Sequence, residues 1–379
     1  MRKLTLLCRI VDNLGDAGVA LRLARYWLHR HPDDHVSICT DEIAPFQRML
    51  GLPCSASPSS VNTEAKTLEV NAGDAPANRL TLHQTLDPPA DFDWGGVIIE
   101  MFGTPLPAHW KQRLAVCNRH PVWVNLEYLS AERWIEDCHG LWSTDPATGW
   151  KQLFFFPGFT AKTGGLLGEE PMRASPTIPD TPTTQARNTL KPAELRAFVF
   201  AYSLTPLLPW LSEAHEDGYP PHALSFHVAS ASHNASLCEI HPNLLHRVDF
   251  VPQRDFDSLL KRFDLLFVRG EDSFVRAQLA GLPFVWQIYP TEDGAHWTKL
   301  DAFFSLYAQG LEEPVRRNLK ALWWYWNGAK SDADSAIDIL HAVLSDMGAL
   351  RTHARRWREA LSLQCRLIER LEQAIAAKT

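Results

Sequence analysis

Residues 265–289 constrain the fold of this chain more than any other stretch. The apolar run 265–268, between Asp264 and Arg269-Gly270, reads as a strand buried on both faces. Glu271, Asp272 and Ser273 then open a helix over 274–280, stopped by Gly281 and Pro283. A second apolar run, 284–289, follows at once. Two strands flanking one helix point to a parallel, doubly wound sheet, in which the turn after the strand lies at the carboxyl edge where ligands bind. Free N–H groups at the helix start favour an anion, and a diphosphate suits them. Glu271 sits beside that anion site, where a carboxylate suits the hydroxyls of a ribose or sugar. The same residues also fit a plain structural use. Ser273 or Asp272 can serve as an N-cap, Arg269 can pair with Glu271 at the surface, and acids are favoured near a helix start by its dipole.

The N-terminal residues show a related pattern with different chemistry. Residues 3–11 predict a first strand, DNLGDAG at 12–18 a turn, and 19–30 an amphipathic helix. Strand, glycine-rich turn and helix open a Rossmann-like half, yet DNLGDAG is neither GxGxxG nor a phosphate loop. Asp12 and Asp16 would repel a pyrophosphate, so the turn is read as facing a neutral or cationic group. Asp16 is the better candidate for a base because it sits at the helix edge of the loop. The competing use makes Asp16 an N-cap and Asp12 the end of the strand. Further strands are expected at 36–39, 97–100 and 121–125, which puts residues 100–103 where they can line a cleft. HPDDH (31–35) and the DxD triplet in DFDWGG (91–96) look like metal-binding patterns. The first lies in a turn between helix and strand, and the second precedes its strand instead of ending it, so neither is read as a metal site.

At 379 residues the chain has room for two domains. Its net charge of −7 argues against generic nucleic-acid binding, which needs a basic face, and tolerates a basic partner or a cationic substrate. Seven scattered cysteines without a CxxC pair read as reduced thiols in a cytoplasm. The N-terminus lacks a signal-peptide cleavage pattern, and no apolar run is long enough for a membrane helix. The segment 168–190, rich in Pro, Ser and Thr, is the best boundary. It divides the chain into Rossmann-like domains over 1–180 and 181–351, with a tail helix, 352–379, that can pack back on the first. In the second domain, strands are expected at 195–200, 223–228 and 248–251, with a helix at 257–263. Phe200 and Tyr202, at a strand's carboxyl end, suit a planar base and core packing equally well.

Six segments taken together carry a resemblance: DNLGDAGVALRLAR (12–25), NLEYLSAE (125–132), FFFPGFTAKTGGLL (154–167), VPQRDFDSLL (251–260), VRGEDSFVRAQLAGLPFVWQIYP (268–290) and AHWTKLDAF (295–303). They resemble the bacterial protein-arginine rhamnosyltransferase family that modifies translation elongation factor P. The resemblance runs over most of the chain. It implies a GT-B glycosyltransferase fold, two Rossmann-like domains facing across a cleft, the first binding the acceptor and the second the nucleotide sugar. It implies transfer of L-rhamnose from dTDP-β-L-rhamnose to an arginine of elongation factor P, with inversion, activating that factor for rescue of ribosomes stalled at polyproline.

By the same resemblance, Asp16 takes the general-base position, with Asp12 beside it and Asn13 and Gly15 in the acceptor and sugar loop. Glu271 takes the donor-binding and catalytic glutamate position. Arg269, Gly270, Asp272 and Ser273 surround the diphosphate and sugar. Phe200, Tyr202, Gln253, Phe256 and Tyr289 fall on the base and ribose contacts. No cofactor or metal is expected. Arginine stays protonated at neutral pH, so Asp16 is expected to orient the guanidinium and accept its proton as the N–C bond forms. Two other readings remain: a GT-B sugar-nucleotide enzyme with another acceptor, and a non-catalytic partner of a translation factor.

Overall fold

The computed structural model describes residues 2–52, 67–70, 79–117, 120–168, 195–213, 224–229, 244–329 and 335–377. The chain divides into two compact units, Met1–Glu170 with Leu363–Thr379, and Pro171–Ser362. The linker read over 168–190 lies, from residue 169 onward, outside the described residues.

The first unit is built on an eight-stranded sheet of order β3-β4-β2-β1-β5-β6-β8-β7. Its strands are β1 (Lys3–Cys8), β2 (His35–Thr40), β3 (Thr67–Val70), β4 (Leu80–His83), β5 (Val97–Met101), β6 (Val122–Leu126), β7 (Trp142–Thr144) and β8 (Lys151–Phe155). Only the edge strands β3 and β7 run antiparallel to their neighbours. The parallel part, β4-β2-β1-β5-β6-β8, is the Rossmann strand order, and it reverses between β1 and β5. Leu4, Leu6, Leu7 and Cys8 are all buried, without alternation, as a parallel sheet covered on both faces requires. Cys8 pairs with Thr40 on one side and Met101 on the other, and Met101 pairs with Leu126. The residues that follow these four strands therefore emerge at one level.

The second unit holds an all-parallel sheet of order β11-β10-β9-β12-β13. Its strands are β9 (Leu195–Val199), β10 (Leu224–Ala229), β11 (Leu245–Val248), β12 (Leu265–Arg269) and β13 (Phe284–Gln287). Here the order reverses between β9 and β12. The last two long helices separate: Met347–Ser362 belongs to the second unit, whereas Leu367–Ala376 lies in the first. There Glu372 meets Arg30 and His31, and Arg370 donates to the carbonyls of Thr160 and Thr163 at 3.1 and 2.7 Å. The FFFPGFTAKTGGLL segment is thus a braced loop, closed on itself by Gly164 N–H on the Phe156 carbonyl.

Most tryptophans are structural. Trp27, Trp94, Trp110, Trp123 and Trp150 are buried in the first unit, and Trp210, Trp286, Trp323 and Trp326 in the second. Each large apolar side chain so buried contributes roughly 1.5–3 kcal/mol of transfer free energy. Among the described residues, no helix is long and apolar enough to cross a membrane.

Two imidazoles tie this core to pH. His139 accepts the Phe156 N–H at Nδ1, and burial, with Arg370 nearby, lowers its pKa to about 4. Burial, aided by His246, lowers that of His227 to about 4 as well. Because an unfolded histidine titrates near 6.5, the unfolded chain binds more protons between pH 6.5 and about 4. The contribution of these groups is complete above 6.5 and is lost as pH falls through that window. Urea midpoints are expected to drop between pH 6.5 and 4.5, and less steeply in His139→Asn, whose amide oxygen can still accept the Phe156 N–H. An equal drop in the variant would show that His139 does not titrate as described.

Candidate active site

In the first unit, four consecutive N–H groups past the end of β1 find side-chain oxygens. Arg9 N–H bonds Thr104 Oγ1 at 2.9 Å and Ile10 N–H bonds Asp41 Oδ1 at 2.9 Å. Val11 and Asp12 N–H both bond Asp16 Oδ2 at 2.8 Å. These donors have left the ladder and precede the helix, so each needs an acceptor from elsewhere. The helix that follows is Asn13–Arg30, which begins inside the DNLGDAG segment read as a turn. Asp12 occupies the N-cap position without a side-chain cap bond, and Asp16 reaches back from the first turn. Asn13 adopts a φ of 27° at this corner. A side chain at Gly15 would run into the Asp12 carboxylate, so Gly15 leaves the space that carboxylate fills.

Asp16 and Asp12 are 3% and 9% exposed. Burial raises the Asp16 pKa, against hydrogen bonds from Asp12 N–H, Val11 N–H and the Tyr128 side chain, while Asp41 raises it further. A carboxylate offers about four lone-pair sites, so the three donors leave room for about one more N–H. The arrangement can hold and polarise a cationic donor, and it is a poor site for a phosphate. Glu100, on β5, turns the other way. It is buried and accepts from Leu106 N–H and Gln152 Nε2, so it braces the loop after β5.

In the second unit, the expected donor residues gather where the strand order reverses. Arg269 ends β12, Gly270 follows with a φ of 61°, and the helix Asp272–Ala280 starts with Glu271 at its N-cap position. Only glycine takes that φ at no steric cost, and Trp286 Nε1 holds the Gly270 carbonyl at 2.8 Å. The Arg269 guanidinium lies 4.6 Å from the Phe200 ring centre and 4.5 Å from that of Tyr202. Phe200 meets Phe256 edge-on, and Tyr202 meets Tyr289 edge-on at 5.5 Å. Gln253 Nε2 reaches Asp272 Oδ2 at 3.4 Å. The Ser273 hydroxyl is engaged with the backbone of Arg269, accepting its N–H at 3.1 Å and donating to its carbonyl. Glu271 pairs with Lys299 Nζ at 3.2 Å. Aromatic faces, a helix N-terminus, two cations and the acids Glu271 and Asp272 thus meet in one place, an arrangement that can take a planar ring and an anion.

Comparison with known proteins agrees with this arrangement. Residues 4–376 match the family described as Elongation-Factor P (EF-P) rhamnosyltransferase EarP. The chain belongs to this family. It is 35% identical to a protein-arginine rhamnosyltransferase of Pseudomonas putida, with 92% of each chain covered, and 35% identical to that of Pseudomonas aeruginosa, with 97% of each covered. The fold matches a solved structure described as the structural basis for EarP-mediated arginine glycosylation of translation elongation factor EF-P, with a TM-score of 0.57, 23% identity and all of both chains covered. It also matches the spinosyn rhamnosyltransferase SpnG, at a TM-score of 0.55 and 14% identity, over 98% of this chain and 100% of that one. The fold is GT-B, and the protein is an enzyme of the protein-arginine rhamnosyltransferase family.

Sequence reasoning passed over several groups that the transferase brings to these sites. Tyr128 and Lys299 stand inside the segments NLEYLSAE and AHWTKLDAF, but their partners Asp16 and Glu271 are far away in sequence. Gln287 was not singled out, although its Oε1 takes the Tyr202 N–H at 2.6 Å and so sets the end of β9. In the DxD triplet, Asp93 accepts the Gly95 N–H and pairs with Lys3. Among the described residues, no group of three or more His, Cys, Asp or Glu side chains could hold a metal ion. Lys299→Ala removes the countercharge from Glu271 and one cation from the helix start. It is expected to weaken nucleoside diphosphate binding about fivefold, the order of an ion pair of ~1 kcal/mol. Calorimetric titration checks this, and unchanged affinity would reduce Lys299 to a tether between two helices.

Proposed function

We propose that the protein transfers L-rhamnose from dTDP-β-L-rhamnose to one arginine side chain of elongation factor P, inverting the anomeric carbon. The modified factor then serves the rescue of ribosomes stalled at polyproline, and the reaction takes place in the cytoplasm. The observation that carries this reading is the opposite polarity of the two strand-order reversals in a member of this family. At the first, the Asp16 carboxylate takes the backbone N–H groups; at the second, Lys299 offsets Glu271, Gln253 meets Asp272, and Arg269 stands with the helix N-terminus.

The second unit holds the donor. The thymine base stacks against the Phe200, Tyr202 and Tyr289 rings, and Phe256 and Gln253 complete the base and ribose contacts. The diphosphate lies at the start of the helix Asp272–Ala280 beside Arg269, Gly270 and Ser273. Glu271, held by Lys299, bonds the sugar hydroxyls. The first unit holds the acceptor guanidinium against Asp12 and Asp16, with Asn13 and Gly15 shaping the loop. The guanidinium nitrogen attacks C1 of the sugar, the N–C1 bond forms, and the C1–O bond to the diphosphate breaks. An arginine pKa above ~12 prevents prior deprotonation, so Asp16 accepts the proton as the bond forms. The transition state has oxocarbenium character, as at other anomeric centres. The dTDP leaves as an anion stabilised by Arg269 and the helix N-terminus, so the reaction runs without a metal or cofactor.

Intact-mass spectrometry of elongation factor P, incubated with this protein and dTDP-L-rhamnose, is expected to show a gain of one deoxyhexose, unaffected by EDTA. Asp16→Asn is expected to lower kcat by at least about 100-fold, the scale of a lost general base. Glu271→Gln is expected mainly to raise the donor KM. Because the Asp16 pKa is raised, the acid limb of kcat/KM lies above the 3.8 of an ordinary aspartate. No mass gain with the donor still bound would point to another acceptor, and no donor binding would sink the whole reading.

A further inference from the structure

Among the described residues, Asn13 and Phe102 are the ones other than glycine with a positive φ, and both border the acidic site of the first unit. Phe102 follows β5 with a φ of 56°, a conformation that bulky residues avoid and that persists only where the surroundings impose it. Three bonds impose it here. The Phe102 N–H extends the pairing of β5 with β6 by reaching the Leu126 carbonyl at 2.9 Å. The Thr104 N–H closes a turn on the Met101 carbonyl at 3.0 Å. The Thr104 hydroxyl takes the Arg9 N–H, tying this corner to the end of β1. The Phe102 ring then stacks on Tyr128, with centres 4.5 Å apart and planes 15° apart. The Tyr128 side chain hydrogen-bonds the Asp16 carboxylate.

We propose that Tyr128 is a positioning residue for glycosyl transfer and that the left-handed Phe102 clamps its ring, so that the phenol hydroxyl and the Val11 and Asp12 N–H groups leave Asp16 one orientation towards the acceptor. The inference rests on Asp16 as the proton acceptor. Its physical content is a count of lone pairs. With three of about four sites engaged, a substrate N–H meets the carboxylate in one direction, and no rotation of Asp16 precedes the transfer. A further consequence concerns charge. The groups around Asp16 include Asp12 at the start of the same helix, Asp41 after β2, Tyr128 after β6, and the Cys8 thiol of β1, which lies 3.9 Å from the Asp16 carbonyl. The phenol and the two backbone N–H groups favour the ionised carboxylate against burial.

Tyr128→Phe keeps the ring stack and deletes the hydroxyl. Phe102→Gly keeps the backbone conformation and deletes the clamp. In steady-state assays at saturating donor, Tyr128→Phe is expected to lower kcat/KM for the acceptor protein 10- to 100-fold, with donor KM unchanged within twofold. The acid limb of its pH profile is expected to move to higher pH, because a group that favoured the carboxylate is gone. Phe102→Gly is expected to show the same pattern to a smaller extent. A wild-type rate and acid limb in Tyr128→Phe would overturn the proposal. So would a slower Tyr128→Phe with an unmoved acid limb, which a purely packing role would produce. Asp16→Asn in the same assay separates the two levels. Near-normal turnover there removes the role of Asp16 itself, whereas an inactive Asp16→Asn beside a wild-type Tyr128→Phe removes only that of Tyr128.

Discussion

A parallel strand that runs out beneath a helix leaves backbone N–H groups with no ladder partner, and each must find an acceptor. Both sheets of this protein meet that constraint where their strand order reverses, and they meet it with opposite chemistry. In the first unit the acceptors for Ile10, Val11 and Asp12 are carboxylate oxygens of Asp41 and Asp16. Negative charge there is part of how the strand ends. In the second unit the acceptors are neutral: the Gln287 amide oxygen for Tyr202 and the Ser273 hydroxyl for Arg269. No side chain caps the start of the helix Asp272–Ala280; Lys299 offsets Glu271, and Arg269 lies over the Phe200 and Tyr202 rings. One architecture thus ends its strands on carboxylate oxygens in one unit and on neutral acceptors in the other.

The same constraint separates two buried acids that otherwise look alike. Glu100 and Asp16 both lie on the first unit, and burial raises the pKa of each. Glu100 uses its two oxygens on Leu106 and Gln152, which fixes the loop after β5. Asp16 spends Oδ2 on two backbone N–H groups of its own loop and stands at the mouth of the strand ends. A raised pKa marks both; the commitment of their oxygens and their place along the strands set the two apart.

Much of this was legible in the chain. The apolar run 265–268, the acidic helix start and the second run 284–289 specified β12, helix and β13 because a strand buried on both faces leaves a continuous apolar signature. The start of the first helix was misread by six residues. Gly15 and two aspartates look like a turn, but the first turn of a helix has no intrahelical acceptors for its N–H groups, and Asp16 supplies acceptors for the residues just before it. The strand expected at 248–251 is instead Leu245–Val248, and the helix expected at 257–263 starts at Gln253, directly after Pro252. Proline pre-sets the entry to a helix, and here that local preference outweighed the apolar pair Phe250-Val251.

Some features of this protein follow from sequence alone, because they depend on neighbours along the chain. Two Rossmann-like halves, a left-handed glycine before a helix start, the sign of charge at each strand-to-helix turn and the residues DNLGD and RGEDS are of this kind. Tertiary structure alone decided which side chains those turns meet. Lys299 reaches Glu271 across 28 residues, Thr104 reaches Arg9 across 95, and Tyr128 reaches Asp16 from the far side of β5. The last two pairings follow from strand order and register, which align the ends of β2, β1, β5 and β6 at one level. No pattern local to the sequence encodes that alignment, because it is set by the packing of strands that the chain visits many residues apart.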